Sequence, residues 1–268
     1  MHVSQLQILR RTKGLALLSL VAATSANAGF VTWSAPQTIT GDADVSTAGT
    51  LVVAHNLGVA GNTSATVGGV TFTPFATSTP VNTLGNVTMS AASNISGTNF
   101  DFGDFVPPFT DLSGDYQTLL QSASFTTGAV PPTISLSLAG LIPGADYQFQ
   151  WWVHQSSDFS SDPGFPPPGV PTTTATSGGS VTLDRNGLVP GTLGQFAIGS
   201  FTADAAPQVI TFNGSDIRTV ISAFQLRQVS APPIPEPGSF LFGIAVSGFL
   251  LSSTSRRRRA GVAPDSSL

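Results

Sequence analysis

The segment LAGLIPGADYQFQWW, residues 138–152, decides the fold class of this chain. It begins as an apolar strand, passes through a Pro-Gly turn and then alternates with a period of two. Successive side chains of a β-strand point to opposite faces of a sheet. One face carries Tyr147, Phe149, Trp151 and Val153, and the other carries Gln148, Gln150, Trp152 and His154. This pattern is typical of an antiparallel strand with one buried and one wet face.

On both sides of this segment, the sequence pattern predicts further strands. Alternation recurs around Leu136, Val181 and Phe224, and further strands are expected at 50–56, 69–75, 194–203 and 208–212. One short helix is expected, because Tyr116, Leu119 and Leu120 are spaced as one helical face, with Asp111 as its cap. Together these features predict an all-β fold, an antiparallel β-sandwich or jelly roll with long loops.

Composition excludes several classes of protein. Charged residues are 9% of the 268, with a single Lys and a single Glu. These two residue types are strong helix formers, so their scarcity disfavours a helical bundle or a coiled coil. The chain has no Cys, which excludes a disulfide framework and thiolate chemistry. Residues 29–234 contain three Arg and twelve Asp, and this negative net charge disfavours binding to nucleic acid.

Most basic residues lie at the two ends of the chain. Near the start, Arg10, Arg11 and Lys13 precede an apolar run at 14–23. Ala26 and Ala28 then place small residues at the two positions that a signal peptidase reads. We therefore expect residues 1–28 to be a signal peptide that is cleaved after Ala28.

The other basic cluster follows an uncharged segment. Residues 238–255 would form a helix about 27 Å long, close to the thickness of a hydrocarbon core of about 30 Å. After them the chain continues with Arg256, Arg257, Arg258 and Arg259. Because basic residues stay on the cytoplasmic side, the sequence predicts a transmembrane helix with the body outside and residues 260–268 as a cytoplasmic tail.

Pro235, Glu236 and Pro237, the uncharged segment and the Arg cluster follow one another in a fixed order. Residues 232–259 resemble the PEP-CTERM sorting signal in this order. The resemblance implies export in a Gram-negative bacterium, processing by an exosortase near the Pro-Glu-Pro motif, and association with exopolysaccharide or the cell surface. Residues 29–231 would then be a β-sandwich domain that is held first at the inner membrane, in the periplasm, and is later displayed at the surface or secreted.

A second resemblance concerns the end of the body. The stretch GQFAIGSFTADAAPQVITFNG, followed by ISAFQLR, resembles galactose-binding-like and other carbohydrate-binding jelly rolls in its succession of strand and turn residues. On the predicted wet face, Trp152 would stack on a sugar ring while Gln150 and His154 bond its hydroxyls. The alternative is that Trp152 is covered by the loop that follows it.

Carboxylates suggest a metal site. Asp158, Asp162 and Asp184 would supply hard oxygen ligands for Ca²⁺ at one edge of the sandwich, and Asp42 with Asp44 offers a similar set. The alternative is that these residues only form turns, as Asp beside Ser or Gly often does. No other cofactor is expected.

Catalytic motifs are absent from the sequence. The body has no Glu to pair with Asp, its only His residues are His55 and His154, and G-x-S-x-G does not occur. We therefore expect a non-catalytic protein that binds carbohydrate or another matrix component. A purely structural surface protein and a secreted hydrolase remain as alternatives.

Overall fold

The computed structural model describes residues 29–100, 102, 106–127, 132–155, 171–185 and 191–230. The expected signal peptide at 1–28 and the expected sorting signal and tail at 232–268 lie outside these residues. Within the described part, no helix has the length and apolar character that crossing a membrane requires.

The described residues form seventeen strands, one α-helix and two 3-10 turns. The strands are β1 Thr32–Trp33, β2 Gln37–Thr38, β3 Thr50–Gly58, β4 Ala65–Val67, β5 Val70–Ala76, β6 Val81–Leu84, β7 Val87–Ala91, β8 Ile95–Thr98, β9 Ala123–Thr127, β10 Thr133–Leu138, β11 Asp146–Val153, β12 Thr172–Ser177, β13 Gly179–Asp184, β14 Gln195–Thr202, β15 Gln208–Gly214, β16 Arg218–Ile221 and β17 Ala223–Gln228. The helix α1 spans Gly114–Gln121, and the turns are Asp42–Asp44 and Phe109–Asp111.

These strands assemble into three sheets. The large sheet has the order β1-β14-β11-β17-β3-β5-β4, with β2 beside β14. A second sheet has the order β13-β12-β15-β10-β7-β6, and a small third sheet the order β16-β9-β8. Among the described strands, every pairing is antiparallel except that of β3 with β5. The prediction of an all-β, mainly antiparallel fold with one short helix is therefore confirmed.

The inner core lies between the large sheet and the second sheet. The ring of Trp151, on β11, meets the ring of Phe212, on β15, with their centroids 5.0 Å apart. Tyr147, Phe149 and Val153 are buried in the same cluster, as the alternation predicts. Full burial of an apolar side chain of this size stabilises a fold by roughly 1.5–3 kcal/mol. The arrangement of these two sheets is that of a β-sandwich.

A second core covers the opposite face of the large sheet. Helix α1 packs its buried residues Tyr116, Leu119 and Leu120 into a cluster with Trp152 and Phe72. The expectation that β11 has a wet face is therefore wrong. Alternation correctly separated its two faces, but both of them are buried from Phe149 to Val153, and Gln148 is half-buried.

The helix itself is confirmed, although its predicted cap is not. Ser113 is the N-cap, since its Oγ accepts a hydrogen bond from the backbone N–H of Tyr116 at 3.3 Å. Asp111 lies two residues earlier, at the end of a 3-10 turn. Ser and Asp are equally good N-caps, so composition alone does not choose between the two positions.

Candidate functional site

The expected sugar platform is not exposed. Trp152 is 0% exposed, and its Nε1 donates a hydrogen bond to the Tyr116 hydroxyl at 2.9 Å. The ring of Phe72 meets it edge-on, with the centroids 5.4 Å apart. A ring enclosed in this way offers no face to a sugar, so the assignment of Trp152 as a platform is wrong. The ring is covered by the second core, which includes helix α1.

Gln150 is also buried, and it holds a loop in place. Its Oε1 accepts a hydrogen bond from the backbone N–H of Ser46 at 2.9 Å, and its Nε2 donates to the carbonyl of Asp44 at 2.7 Å. Gln225, on the neighbouring strand β17, donates to Gln150 and to the carbonyl of Ser46. These glutamines satisfy backbone groups of a loop that crosses the sheet, so the role expected for Gln150 in sugar binding is wrong.

His154 lies fully buried between backbone carbonyls. Its Nδ1 is 3.2 Å from the carbonyl of Leu120 and its Nε2 is 3.1 Å from that of Thr192. The ring stacks on Phe109 with a centroid distance of 5.0 Å. Burial lowers the pKa of His154 to about 4, so the ring is neutral at physiological pH. The third residue of the expected platform is therefore also structural.

The expected calcium sites divide into two cases. Asp158 and Asp162 lie outside the described residues, while Asp184 ends strand β13. Across the part of the chain that is described, no three His, Cys, Asp or Glu side chains lie close enough to hold a metal ion.

Asp42 and Asp44 serve local structure. The carboxylate of Asp44 accepts hydrogen bonds from the Thr40 and Gly41 backbone N–H groups, and that of Asp42 accepts from the Ser113 hydroxyl. Their hydrogen bonds match the turn-forming alternative.

A pocket of about 580 Å³ opens between the large sheet and the second sheet, and we call it the intersheet pocket. Its size falls within the range of small-molecule sites. The wall on the large sheet is formed by Val53, His55, Thr73 and Leu226, and the opposite wall by Leu84, Val87, Leu138 and Leu141. Among the described residues that line it, none has a charged side chain.

Two connections shape the rim of this pocket. The turn between β6 and β7 contains Gly85, whose φ of 58° is the left-handed conformation that glycine adopts without strain. The connection after β10 contains Gly140, where an added Cβ would lie 2.7 Å from the Asn86 amide nitrogen. The N–H of Ala139 donates to the carbonyl of Asn86 at 2.9 Å and ties the two connections together.

The mouth of the intersheet pocket is apolar. Val52 is 49% exposed and Leu84 is 42% exposed, although both are large hydrophobic residues. Single exposed apolar residues are ordinary on a protein surface, but a group at the mouth of an apolar pocket is typical of a binding site.

His55 is the titratable residue of the intersheet pocket. Its side chain is only 4% exposed, and its ring contacts those of Phe75 and Phe224 edge-on. Its Nδ1 lies 3.1 Å from the Thr73 hydroxyl and 3.3 Å from the Thr73 carbonyl, whereas its Nε2 is buried with no hydrogen-bond partner among the described residues. Burial lowers the pKa of His55, so its ring is neutral at physiological pH.

A smaller site lies over β11 and β14, and we call it the Phe30 groove. Its volume is about 270 Å³ and its residues include Phe30, Thr32, Asp146, Ser200 and Thr202. The ring of Phe30 is 66% exposed. Hydrogen bonds from the Ser230 and Thr202 hydroxyls hold the pKa of the Asp146 carboxyl below its usual value. The groove therefore combines an open aromatic ring with a carboxylate and hydroxyls.

Comparison with known proteins leaves the family of this chain open. No model of a protein family matches the chain, and no curated protein matches it. A solved structure described as "Structural basis for the promiscuous specificity of the carbohydrate-binding modules from the beta-sandwich super family" aligns at 16% identity over 57% of this chain. The alignment spans 66% of that chain, just under two thirds, and the TM-score is 0.16. At that score, the similarity supports no argument about fold or function.

Sequence reasoning missed the intersheet pocket, although one signal for it was present. His55 occupies an inward position of the predicted strand 50–56, flanked by the apolar Val53 and Leu57. A titratable residue on a core-facing position is the pattern that marks such a site. The gap between the sheets, in contrast, depends on turns and loops distant in sequence.

Proposed function

We propose that this protein is an exported surface protein whose β-sandwich binds an apolar ligand, without catalysis, in the intersheet pocket. The observation that carries the proposal is the pocket itself: its volume is about 580 Å³, its described lining residues are uncharged, and exposed Val52 and Leu84 border it. Preformed apolar cavities with few polar groups are the usual form of a small-molecule site.

Export is proposed on the sequence of the two ends. A signal peptidase would cleave after Ala28, and an exosortase would process the chain near Glu236. Until then, the uncharged segment at 238–255 would hold the body at the outer face of the inner membrane. The domain would afterwards reach the cell surface or the medium, where exopolysaccharide is the expected partner.

A non-catalytic role is supported by how the two described histidines are used. His154 is enclosed between backbone carbonyls. His55 contacts the Thr73 hydroxyl, which is placed to donate its proton to the carbonyl of Ala54 at 3.2 Å. A general base must accept the proton of its nucleophile, and among the described residues no hydroxyl is placed to donate to either histidine.

Binding in the intersheet pocket is tested with the uncharged fluorescent probe N-phenylnaphthylamine. The full chain is held in lipid nanodiscs, and empty nanodiscs serve as the blank. Val52→Trp places a large ring at the mouth and should weaken binding, whereas Val209→Trp, at a similarly exposed site that does not line the pocket, should not. Unchanged binding by the Val52→Trp protein would remove the pocket as the site.

A second candidate function is carbohydrate binding in the Phe30 groove. The specific observation is the exposed Phe30 ring beside the Asp146 carboxylate and the Thr202 hydroxyl. An aromatic face stacks on a sugar ring, and carboxylate and hydroxyl groups bond its hydroxyls. Cleavage after Ala28 would also leave Phe30 as the second residue of the mature chain.

This alternative predicts that Phe30→Ala abolishes capture by the producer's exopolysaccharide, while Val52→Trp leaves capture intact. The opposite result would place the sugar in the intersheet pocket. If neither the probe nor the polysaccharide binds, the protein is a purely structural surface protein, and both binding proposals fall.

A further inference from the structure

We infer that one end of the sandwich, the end at which the chain leaves the domain, rests on a lipid bilayer whose head groups carry no net charge. The inference rests on the export part of the proposed function, since it takes the uncharged segment at 238–255 as the membrane anchor. It adds the surface of the domain that meets the membrane, and it follows from the position of the chain ends and of the exposed apolar side chains.

The described chain begins and ends at the same end of the sandwich, which we call the exit end. Strand β11 starts there with Asp146, and β17 stops beside it with Gln228. Ser230, the last described residue, donates its hydroxyl to the Asp146 carboxylate at 2.6 Å. Gly29, the first described residue, packs against the carbonyl of Thr202, which is paired with Asp146. Both termini of the domain therefore leave from the exit end.

The second sheet also presents connections at the exit end. Strand β10 stops at Leu138 and reaches the start of β11 through residues 139–145. Leu138 is paired with Val87, where β7 begins, and with Gln208, where β15 begins. The turn between β6 and β7 lies at this end as well, and it carries Leu84 at the mouth of the intersheet pocket. The mouth of that pocket is therefore part of the exit end.

The length of chain beyond Ser230 holds the exit end close to the anchor. Seven residues, 231–237, separate Ser230 from the uncharged segment, and fully extended they span at most about 25 Å. The opposite end of β11, a strand of eight residues, lies about 27 Å farther along the strand. A short tether also gives the domain a high effective concentration at the bilayer, so even a weak contact is populated.

Exposed apolar side chains are concentrated at the exit end. Of the ten large hydrophobic residues that are exposed in the described part of the chain, seven lie there, each in a connection or among the terminal three residues of a strand. They are Phe30, Leu51, Val52, Leu84, Ile142, Val209 and Val229. Single exposed apolar residues are ordinary, but their collection beside a membrane tether is typical of a surface that meets lipid.

The charges at the exit end favour a bilayer without net charge. The carboxylate of Asp146 is exposed, and Asp204 lies half-buried in the connection after β14. Arg227 adds no exposed cation, because it is only 7% exposed and its guanidinium donates to the carbonyls of residues 47–49. The exposed charges on these strands and connections are therefore negative, and they would be repelled by anionic head groups.

The contact is tested with a fluorescent label at a single introduced Cys, since the chain has none of its own. The full chain is held in phosphatidylcholine nanodiscs that carry bromine near the head-group end of the acyl chains, and bromine quenches a bimane label that touches lipid. Nanodiscs without bromine are the reference. Ile142→Cys, at a position 47% exposed at the exit end, should lose most of its fluorescence on brominated lipid.

Val106→Cys is the matched control and should keep its fluorescence. Val106 is another β-branched residue, 40% exposed, but it lies at the opposite end of the sandwich. It precedes Phe109, whose ring stacks on His154 just beyond the far end of β11. A label there is held away from lipid if the exit end faces the bilayer.

A second pair of variants tests the chemistry of the surface. Val229→Asp adds a charge to the exit end and should restore the fluorescence of the label at position 142, because a carboxylate resists transfer to lipid. Val81→Asp makes the same change at the other end of β6, at a position 60% exposed, and should leave the quenching as it was. Brominated phosphatidylglycerol should quench the label at 142 less than phosphatidylcholine does, and added salt should reduce that difference.

The outcomes separate this inference from the proposed function. A label at Ile244→Cys reports on the anchor itself. If it is quenched while the label at 142 is not, or if the labels at 142 and 106 are quenched equally, the inference is overturned and the anchor and the pocket stand. Quenching at 142 that survives Val229→Asp, or that is stronger on phosphatidylglycerol, overturns it as well. If the label at 244 is not quenched, the export part of the proposed function falls together with the inference.

Discussion

Two adjacent tryptophans on strand β11 are equally buried but differ in one hydrogen bond. Trp151 and Trp152 are both 0% exposed. The Nε1 of Trp152 donates to the Tyr116 hydroxyl at 2.9 Å, whereas the Nε1 of Trp151 is buried and has no partner in the part of the chain that the structure describes. Substitution by Phe removes the same atoms at both positions. Both rings are fully buried, so the number of apolar atoms removed is the same and the two variants differ in the fate of the indole N–H.

The expected difference follows from the two indole N–H groups. Trp152→Phe breaks a hydrogen bond worth about 0.5–1.5 kcal/mol and leaves the Tyr116 hydroxyl with only Asp44, at 3.4 Å. Trp151→Phe removes an unpaired buried donor, whose burial costs about 1–3 kcal/mol. We therefore expect the Trp152→Phe protein to be less stable than the Trp151→Phe protein by roughly 2–4 kcal/mol.

Urea denaturation followed by far-ultraviolet circular dichroism measures this difference without relying on indole fluorescence. Trp33→Phe is the control, because Trp33 is only partly buried and its Nε1 donates to the carbonyl of Gly179 at 3.2 Å. Equal stability of the two β11 variants, or a less stable Trp151→Phe protein, would refute the assignment of the hydrogen bond.

Three further predictions concern pH, loop anchoring and processing. From pH 6.5 to about 4, buried His154 should lower the free energy of unfolding by about 3 kcal/mol, because the unfolded chain binds a proton that the folded chain does not. His154→Gln should remove this part of the slope in denaturation curves and leave the part due to His55, whose pKa burial also lowers. Arg227→Met should destabilise by about 2 kcal/mol and speed hydrogen exchange at 47–49, because the guanidinium donates to the carbonyls of Thr47, Ala48 and Gly49. Mass analysis of exported protein should find Gly29 as its first residue, and a chain retaining Met1 would contradict the signal peptide.

The strands were predictable because their signal is local. Alternation of side chains between two faces follows from backbone geometry, so the strand expected at 208–212 appears as Gln208–Gly214 and that at 50–56 as Thr50–Gly58. The short helix was predictable for the same reason, from the spacing of Tyr116, Leu119 and Leu120. Local patterns of this kind do not depend on the rest of the fold.

The sugar platform was mispredicted because alternation separates two faces without showing what covers each. Trp152 is covered by Tyr116, which lies 36 residues earlier in the chain. A strand with one solvent-exposed face and a strand with one face covered by a helix show the same period-two sequence pattern when the covered positions include Gln and His. Gln150 is an example, since its amide replaces water as the partner of a loop backbone.

The burial of both faces of the large sheet determines where a ligand can bind. Polar side chains near the middle of the sheet, such as Gln150 and Gln225, are used to anchor the loop that crosses it. In the described part of the chain, the two pockets on the large sheet lie where a cover ends. The intersheet pocket, at His55, lies where the two sheets separate, and the Phe30 groove lies at the end of β11 that begins with Asp146. In a sheet covered on both faces, a polar residue in the middle of a strand indicates an internal anchor, and binding residues are to be sought along the margins.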